Sequence, residues 1–293
     1  RMARGLGEVY KRQRLLMPQW QGGNNPAYAF GARLLDWLAP GADTTVQAEV
    51  PVEVDNGMEL LPENGVVAQS ILLRQLRSAA KIIDAYQPER IVVFGGDCLV
   101  AQAPFAYLNE LYGGKLGVLW LDAHPDISNP EMFGHEHAMV LGNLLGEGDP
   151  KFAAEVKIPL RPELVMYGGL CAASAQETEI MKRLQLRKAT AAELAVDSAP
   201  ILEWLHANQI ERLAIHLDLD VLDPRFFRAL LFAQPDGTVI DAPHGEMTLQ
   251  QIARIIGDIS RETDVVGLAI AEHLPWDALN LHNFLAELPI LKR

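Results

Sequence analysis

Apolar residues follow two rhythms along the chain, short uncharged runs and longer stretches with helical spacing, and the two alternate from one end to the other. The runs 91–94 (Ile-Val-Val-Phe), 116–121 (Leu-Gly-Val-Leu-Trp-Leu), 164–167 (Leu-Val-Met-Tyr) and 265–270 (Val-Val-Gly-Leu-Ala-Ile) have the continuous hydrophobicity of strands buried on both faces of a parallel sheet. Leu15-Leu16-Met17 reads as a short first strand closed by Pro18. Residues 65–86 set Val66, Ile71, Leu72, Leu76, Ala79, Ile82 and Ile83 at helical spacing, which predicts one long amphipathic helix. Further helices are expected over 27–38, 102–112, 138–145, 174–183 and 276–285. Asp197 is expected to cap a helix ending near Asn208, and Thr248 to cap another. With no repeat or linker to divide it, the pattern predicts one α/β domain over 15–293, with a mainly parallel sheet and helices on both faces. Residues 1–14 are basic and aperiodic and read as an N-terminal arm or extra sequence ahead of that domain.

Two strand ends carry chemistry. The run 116–121 stops at Asp122-Ala123-His124-Pro125-Asp126. Side chains at i, i+2 and i+4 of an extended chain point to one side, so Asp122, His124 and Asp126 are expected to converge. Residues 212–220 alternate strictly, with Ile215, Leu217 and Leu219 on one face and His216, Asp218 and Asp220 on the other. A buried face of that kind needs a neutralising cation. Two such ends, with histidine at hand, suit two divalent cations. The plainer alternative for 122–126 is a solvated acidic loop. Cys98, Asp122–Asp126, Asp218–Asp220 and Glu272 all fall just past the carboxyl ends of apolar runs, where open α/β sheets bind ligands.

Asp-Ala-His-Pro-Asp at 122–126, Asp-Leu-Asp-Val-Leu-Asp-Pro at 218–224 and Gly-Gly-Asp-Cys at 95–98 resemble the metal motifs of the arginase/agmatinase (ureohydrolase) family. His137-Ala138 and Ala271-Glu272 match more weakly, and the resemblance covers about residues 15–290 in the family's order. It implies a three-layer αβα arginase-like fold. It also implies two Mn2+ per chain that generate hydroxide, attack on the carbon of a small cationic guanidino or amidino substrate, release of urea, and a homo-oligomer, trimer or hexamer. Carried over position by position, it makes Asp122, His124, Asp126, Asp218, Asp220 and residue 98 metal ligands. Glu272 would hold the guanidinium, the ordinary alternative being an ion pair with a local Arg; His137 would relay protons, and Asp126 counts with these two as catalytic.

The chain departs from the family in several places. Cys98 stands where the family has a metal-binding histidine. It admits three readings: a thiolate ligand that would favour Zn2+ or a single-metal site, a buried thiol that leaves one metal position weak, or a loss compensated by His216. The family usually carries a small polar residue at 216. The ordinary alternative for His216 is a hydrogen bond to a carboxylate. Ala138 replaces a glycine, His273 and Pro275 alter the expected pocket floor, and the apolar stretch 170–173 argues against L-arginine itself. Asp97, Ser128, Asn129 and His273 are further candidates for supporting the metals or touching substrate. Trp20, Gln21 and Asn24, in the first loop, could contact substrate or form a packed turn, and His135 is expected at the surface. Two other classes stay open: a single-zinc amidohydrolase using Asp122, His124 and Asp218, and a non-catalytic family member.

Composition narrows the setting. Lys and Arg total 25 against 38 Asp and Glu, a net charge of −13, which disfavours nucleic acid and anionic membranes and mildly attracts a cationic substrate. Two cysteines in 293 residues fit a reducing, cytoplasmic setting rather than a disulfide framework. No apolar run approaches membrane-spanning length.

Overall fold

The structure, a computed structural model, describes residues 11–41 and 45–291. Its strands are β1 (Arg12–Met17), β2 (Thr45–Glu49), β3 (Pro62–Glu63), β4 (Val66–Val67), β5 (Arg90–Gly95), β6 (Gly117–Leu121), β7 (Val165–Gly168), β8 (Arg187–Ala189), β9 (Arg212–Asp218) and β10 (Asp264–Ala271). Its helices are α1 (Ala27–Leu38), α2 (Gln69–Tyr86), α3 (Gln102–Leu111), α4 (Val140–Leu145), α5 (Pro150–Ala153), α6 (Ala175–Leu184), α7 (Ala191–Val196), α8 (Ala199–Ala207), α9 (Leu249–Glu262) and α10 (Trp276–Glu287). Eight strands pair in parallel in the order β2-β1-β5-β10-β9-β6-β7-β8.

Alternation along the central strands builds a core on each side of this sheet. In β6, Val118 and Trp120 join the layer under α2, α3 and α4, while Leu119 and Leu121 join the layer under α8 and α9. The expected three-layer fold follows, because a strand with apolar residues on both faces needs a helix layer over each. Three helices start at capping boxes, Ser174–Glu177, Thr190–Glu193 and Thr248–Gln251, so the expected cap at Thr248 is present.

Some boundaries differ from expectation, each for a local reason. The helix expected from residue 65 begins at Gln69, because Asn64 and Gly65 take left-handed φ of 52° and 86° and turn the hairpin β3–β4. An Asn-Gly pair favours that turn over a helix start. The first strand begins at Arg12, inside the expected arm, and buried Arg14 pairs with Asp36 of α1 at 2.7 Å. Residues 1–10 of that arm lie outside the described residues. Asp197 does not occupy the cap position of α8, which falls to Ser198, but its carboxylate accepts the Ala199 N–H at 2.9 Å. Strand β9 stops at Asp218, and Leu219–Val221 form a 3-10 turn. Edge strands β2 and β8 were not expected, since their exposed, polar sequences carry no apolar rhythm. Among the described residues, no helix is long and apolar enough to cross a membrane.

Candidate metal centre and substrate pocket

The four adjacent strands β5, β10, β9 and β6 end side by side and deliver Cys98, Glu272, Asp218–Asp220 and Asp122–Asp126 to one place. Chain neighbours are not sheet neighbours here: β10 and β9 lie between β5 and β6, which opens a crevice at the carboxyl ends. Gly96 lets the loops close on it. A Cβ there would sit 1.7 Å from the Gln19 carbonyl oxygen, and the Gly96 carbonyl accepts the Glu272 N–H at 2.7 Å.

Half of the cluster is tied together by its own hydrogen bonds. Asp122 Oδ1 accepts the His124 N–H at 2.6 Å, and Oδ2 accepts the Trp120 indole N–H at 2.9 Å. His124 Nδ1 lies 2.8 Å from Asp220 Oδ2, and Asp220 Oδ1 accepts the Ala123 N–H at 3.2 Å. Asp218 Oδ1 accepts the Asp220 N–H at 2.7 Å, which caps the 3-10 turn and swings Asp220 into the site. Asp122 and His124 come together by turns rather than by strand alternation, since β6 ends at Leu121, whereas Asp126, at a left-handed φ of 48°, lines the cavity outside the donor sets that gather around them.

The other half is less complete. Cys98 Sγ donates to Asp218 Oδ2 at 2.8 Å and lies 3.8 Å from Glu272 Oε1. Glu272 Oε2 accepts from the Tyr28 hydroxyl at 2.8 Å. The His216 ring stacks on Trp120 at 3.8 Å, with Nε2 3.9 Å from Asp122 Oδ2, and neither of its nitrogens has a hydrogen-bond partner. Asp126 Oδ2 is likewise buried without one.

Charge is badly out of balance. Asp122, Asp126, Asp218, Asp220 and Glu272 are all buried, and His124 is the cationic group among them. Burial, then the Asp220 charge, pushes the carboxyls of Asp122 and Asp218 well above the usual range; for Asp126 the causes are burial and then Asp122. Glu272 is raised to about 7, by burial first and Asp220 second. Burial opposes charge on His124, but Asp220 outweighs it and lifts the imidazole to about 10. The same pair holds Asp220 below the usual carboxylate range against its burial. Burial drives His216 down to about 3, so that ring is neutral.

These residues fit divalent cations. Three sets of potential donors each lie within 4.8 Å of one another: Cys98, Asp122, His216 and Asp218; Asp122, His124 and Asp220; Asp218, Asp220 and Glu272. Surplus buried carboxylate and an orphaned His216 nitrogen are what a cation would relieve. A cavity of about 710 Å³ opens over the cluster, lined on one side by Asp126, Asp218, Asp220 and Glu272 and elsewhere by Tyr28, His135, His137, Ala172, Ala173 and Phe232. Among its described lining residues there is no Lys or Arg.

The other expected residues divide. His137 lines the cavity, and its Nδ1 donates to the Gly22 carbonyl at 2.8 Å, since a carbonyl can only accept. Burial lowers His137 against the pull of Asp97. Asp97 does not line the cavity; its carboxylate accepts the N–H groups of Gly22 at 2.9 Å and Gly23 at 3.3 Å and so holds the loop that positions His137. Burial lifts Asp97 to about 6. Ser128 lines the cavity and donates to Glu177 at 2.6 Å. Asn129 turns away from it and accepts the N–H groups of Glu131 and Met132, closing a turn. His273 is also off the cavity: its Nδ1 meets the Gly31 carbonyl at 3.1 Å and clamps α1 to the end of β10. Of the first loop, Asn24 reaches the cavity, while Trp20 and Gln21 are buried and bonded to the Glu53 carbonyl. His135, expected at the surface, lines the cavity beside Phe133 and His137. Tyr28 went unrecognised, because its partner Glu272 is 244 residues away.

A parallel αβα sheet with acidic and imidazole donors gathered past four central strand ends defines a class of metal-site α/β proteins. Residues 41–279 match the Arginase family, and the chain belongs to that family. Arginase of Staphylococcus aureus (strain COL) is 28% identical over 142 residues, 45% of this chain and 46% of that protein, so the chain spans about half the length of this relative. The mitochondrial arginase 1 of Arabidopsis thaliana is 24% identical over 273 residues, 92% of this chain and 69% of that protein. The Entamoeba histolytica arginase, solved in complex with L-ornithine, superposes with a TM-score of 0.76 at 18% identity over 92% of both chains. The formimidoylglutamase of Bacillus subtilis does so with a TM-score of 0.66 at 15% identity, over 92% of this chain and 81% of that one.

Proposed function

We propose that this protein is a divalent-cation-dependent hydrolase of linear carbon–nitrogen bonds in guanidino or amidino compounds, releasing urea from guanidines. The observation that carries this reading is the convergence of five buried carboxylates and His124 beneath a cavity whose described lining has no Lys or Arg. Such a site favours cations twice over: inorganic ions among the carboxylates, and a cationic substrate above them. Asp122, His124, Asp218 and Asp220 would hold the ions, with Asp126 lining the cavity beside them. Bound there, divalent cations supply Lewis-acid activation of water.

The chain's own groups do the rest. Glu272, fixed by the Tyr28 hydroxyl, accepts the N–H groups of a planar guanidinium. That cation stabilises the carboxylate and so offsets the burial and the Asp220 charge that lift the Glu272 carboxyl to about 7. His137 carries its proton on Nδ1 toward Gly22, which leaves Nε2 to take up a proton and hand it to the departing amine. Ala172 and Ala173 make part of the wall apolar, which favours substrates with an unbranched apolar arm there.

The test is a screen of Mn2+- and Zn2+-loaded protein against guanidino, formimino and acyl-amine compounds, scored by urea, ammonia and free amine. Urea from a guanidine supports the reading. Acyl-amine cleavage without urea moves the protein to the amidohydrolase class, and no turnover of any compound by metal-loaded protein leaves a non-catalytic family member.

A further inference from the structure

His216 is the most isolated polar side chain at the site. The ring is completely buried, held flat against Trp120 at an interplanar angle of 16°, and both nitrogens lack partners. An unsatisfied buried polar group costs about 1–3 kcal/mol, and an apolar residue on β9 would avoid it. The ring is not remote from other donors. One of its nitrogens falls with Cys98 Sγ and one oxygen each of Asp122 and Asp218 inside a sphere of contacts no longer than 4.8 Å. Register explains the meeting: His216 lies across from Trp120 of β6, two residues before Asp122, and two residues before Asp218 on its own strand. The thiol of Cys98 reaches the same spot from the turn after β5 and bonds Asp218.

We propose that Cys98, His216, Asp122 and Asp218 form one cation position with a mixed sulfur, nitrogen and oxygen donor set that selects Zn2+ or Co2+ over Mn2+, while Asp122, His124 and Asp220 make a harder position beside it. This inference rests on the reading of the cluster as a metal centre. Four donors, two of them thiolate and imidazole, match the coordination number and softness of zinc, whereas manganese prefers oxygen and imidazole. On binding, the Cys98 S–H bond breaks, the sulfur lone pair forms the bond to the ion and the proton leaves to solvent, with no change of oxidation state. One His216 nitrogen donates its lone pair and the other keeps its hydrogen. The Trp120 stack fixes the ring plane before the ion arrives.

The test loads metal-free full-length protein with Co2+ and, separately, with Zn2+. The expected results are two ions per chain and a thiolate-to-cobalt charge-transfer band that saturates at one equivalent. Zinc-edge X-ray absorption should show a sulfur neighbour at about 2.3 Å and imidazole at both positions. Cys98→Ser should abolish the band, and His216→Gln should weaken Co2+ affinity at that position by about tenfold or more. A tenfold excess of Mn2+ should leave the band intact. Cobalt bound with neither band nor sulfur neighbour, or a band erased by Mn2+, overturns this inference and leaves the metal centre standing. An absorption spectrum of wild-type protein with imidazole at one position only removes His216 from the set, even if the variant fails to fold. Protein that binds neither Co2+ nor Zn2+ refutes the metal-centre reading itself.

Discussion

The halves of the acidic cluster differ in how far the protein completes them by itself. Around His124, each carboxylate oxygen of Asp122 and Asp220 has a hydrogen-bond partner, two of them backbone N–H groups. Around Cys98, three buried atoms have none: both His216 nitrogens and Asp126 Oδ2. The first half is preorganised by turns and caps, and would keep its shape without an ion. The second is chemically unfinished, and an ion would take up one His216 nitrogen there together with Cys98, Asp122 and Asp218. Preorganised donors bind at little reorganisation cost, while unfinished ones gain most in stability when filled.

The harshest way to break the comparison is Asp218→Asn, because Asp218 takes part in the Cys98 set and in the Glu272 set. Metal per chain and hydrolytic turnover should fall together, turnover by on the order of 100-fold or more. Full metal content with full turnover would remove Asp218 from the centre.

Next in size is the effect of the ions on stability. At about 100 times its dissociation constant a single ion should stabilise the fold by about 2.7 kcal/mol and raise Tm by roughly 4–5 °C, with chelator reversing it. This gain should grow with pH. Glu272 at about 7 and His124 at about 10 both lie above their unfolded values, so in metal-free protein their contribution is complete at low pH and fades as pH rises through those values. The raised carboxyls of Asp122, Asp126 and Asp218 act in the same direction. His216, lowered to about 3, costs stability only below its unfolded value and is neutral in both states above pH ~6.5. Differential scanning calorimetry between pH 6.5 and 8 should therefore show Tm of metal-free protein falling and the ion-induced gain widening; a constant gain would mean that these carboxyls are not what the ion relieves.

Tyr28→Phe probes the substrate side. Stripping the donor from buried Glu272 Oε2 costs about 1–3 kcal/mol of positioning, which should appear as KM raised roughly tenfold with kcat much less affected. Equal loss in kcat would place Tyr28 in the chemical step instead. The smallest effect is expected at Asn129→Ala, where only a turn is lost: under about 1 kcal/mol of stability, with turnover unchanged in a steady-state assay.

Much of the centre could be read from local spacing. Asp122, His124 and Asp126, or Asp218 and Asp220, sit two residues apart at the end of an apolar run, and any conformation that continues or caps a strand there keeps them together. The helix over Ala27–Leu38 was legible to the residue for a similar reason, since its signals lie within one element. Residues 65–68 were misread where two local signals competed and the Asn-Gly turn prevailed over helical spacing. Asn129 and His273 lay at plausible distances along the chain but point elsewhere, one into its own turn and the other onto Gly31.

By itself, then, the sequence determined the alternation of strands and helices, the strand ends that carry donors and the surplus of acid at them. These depend on periodicity and burial, which are written over spans of a few residues. Only the tertiary structure decided that β10 and β9 lie between β5 and β6, and with that order came the pairing of Cys98 with Asp218, of Tyr28 with Glu272 and of His216 with Trp120. Those contacts join residues 96 to 244 positions apart. No local pattern encodes them, because they are set by which strands share an edge and in what register.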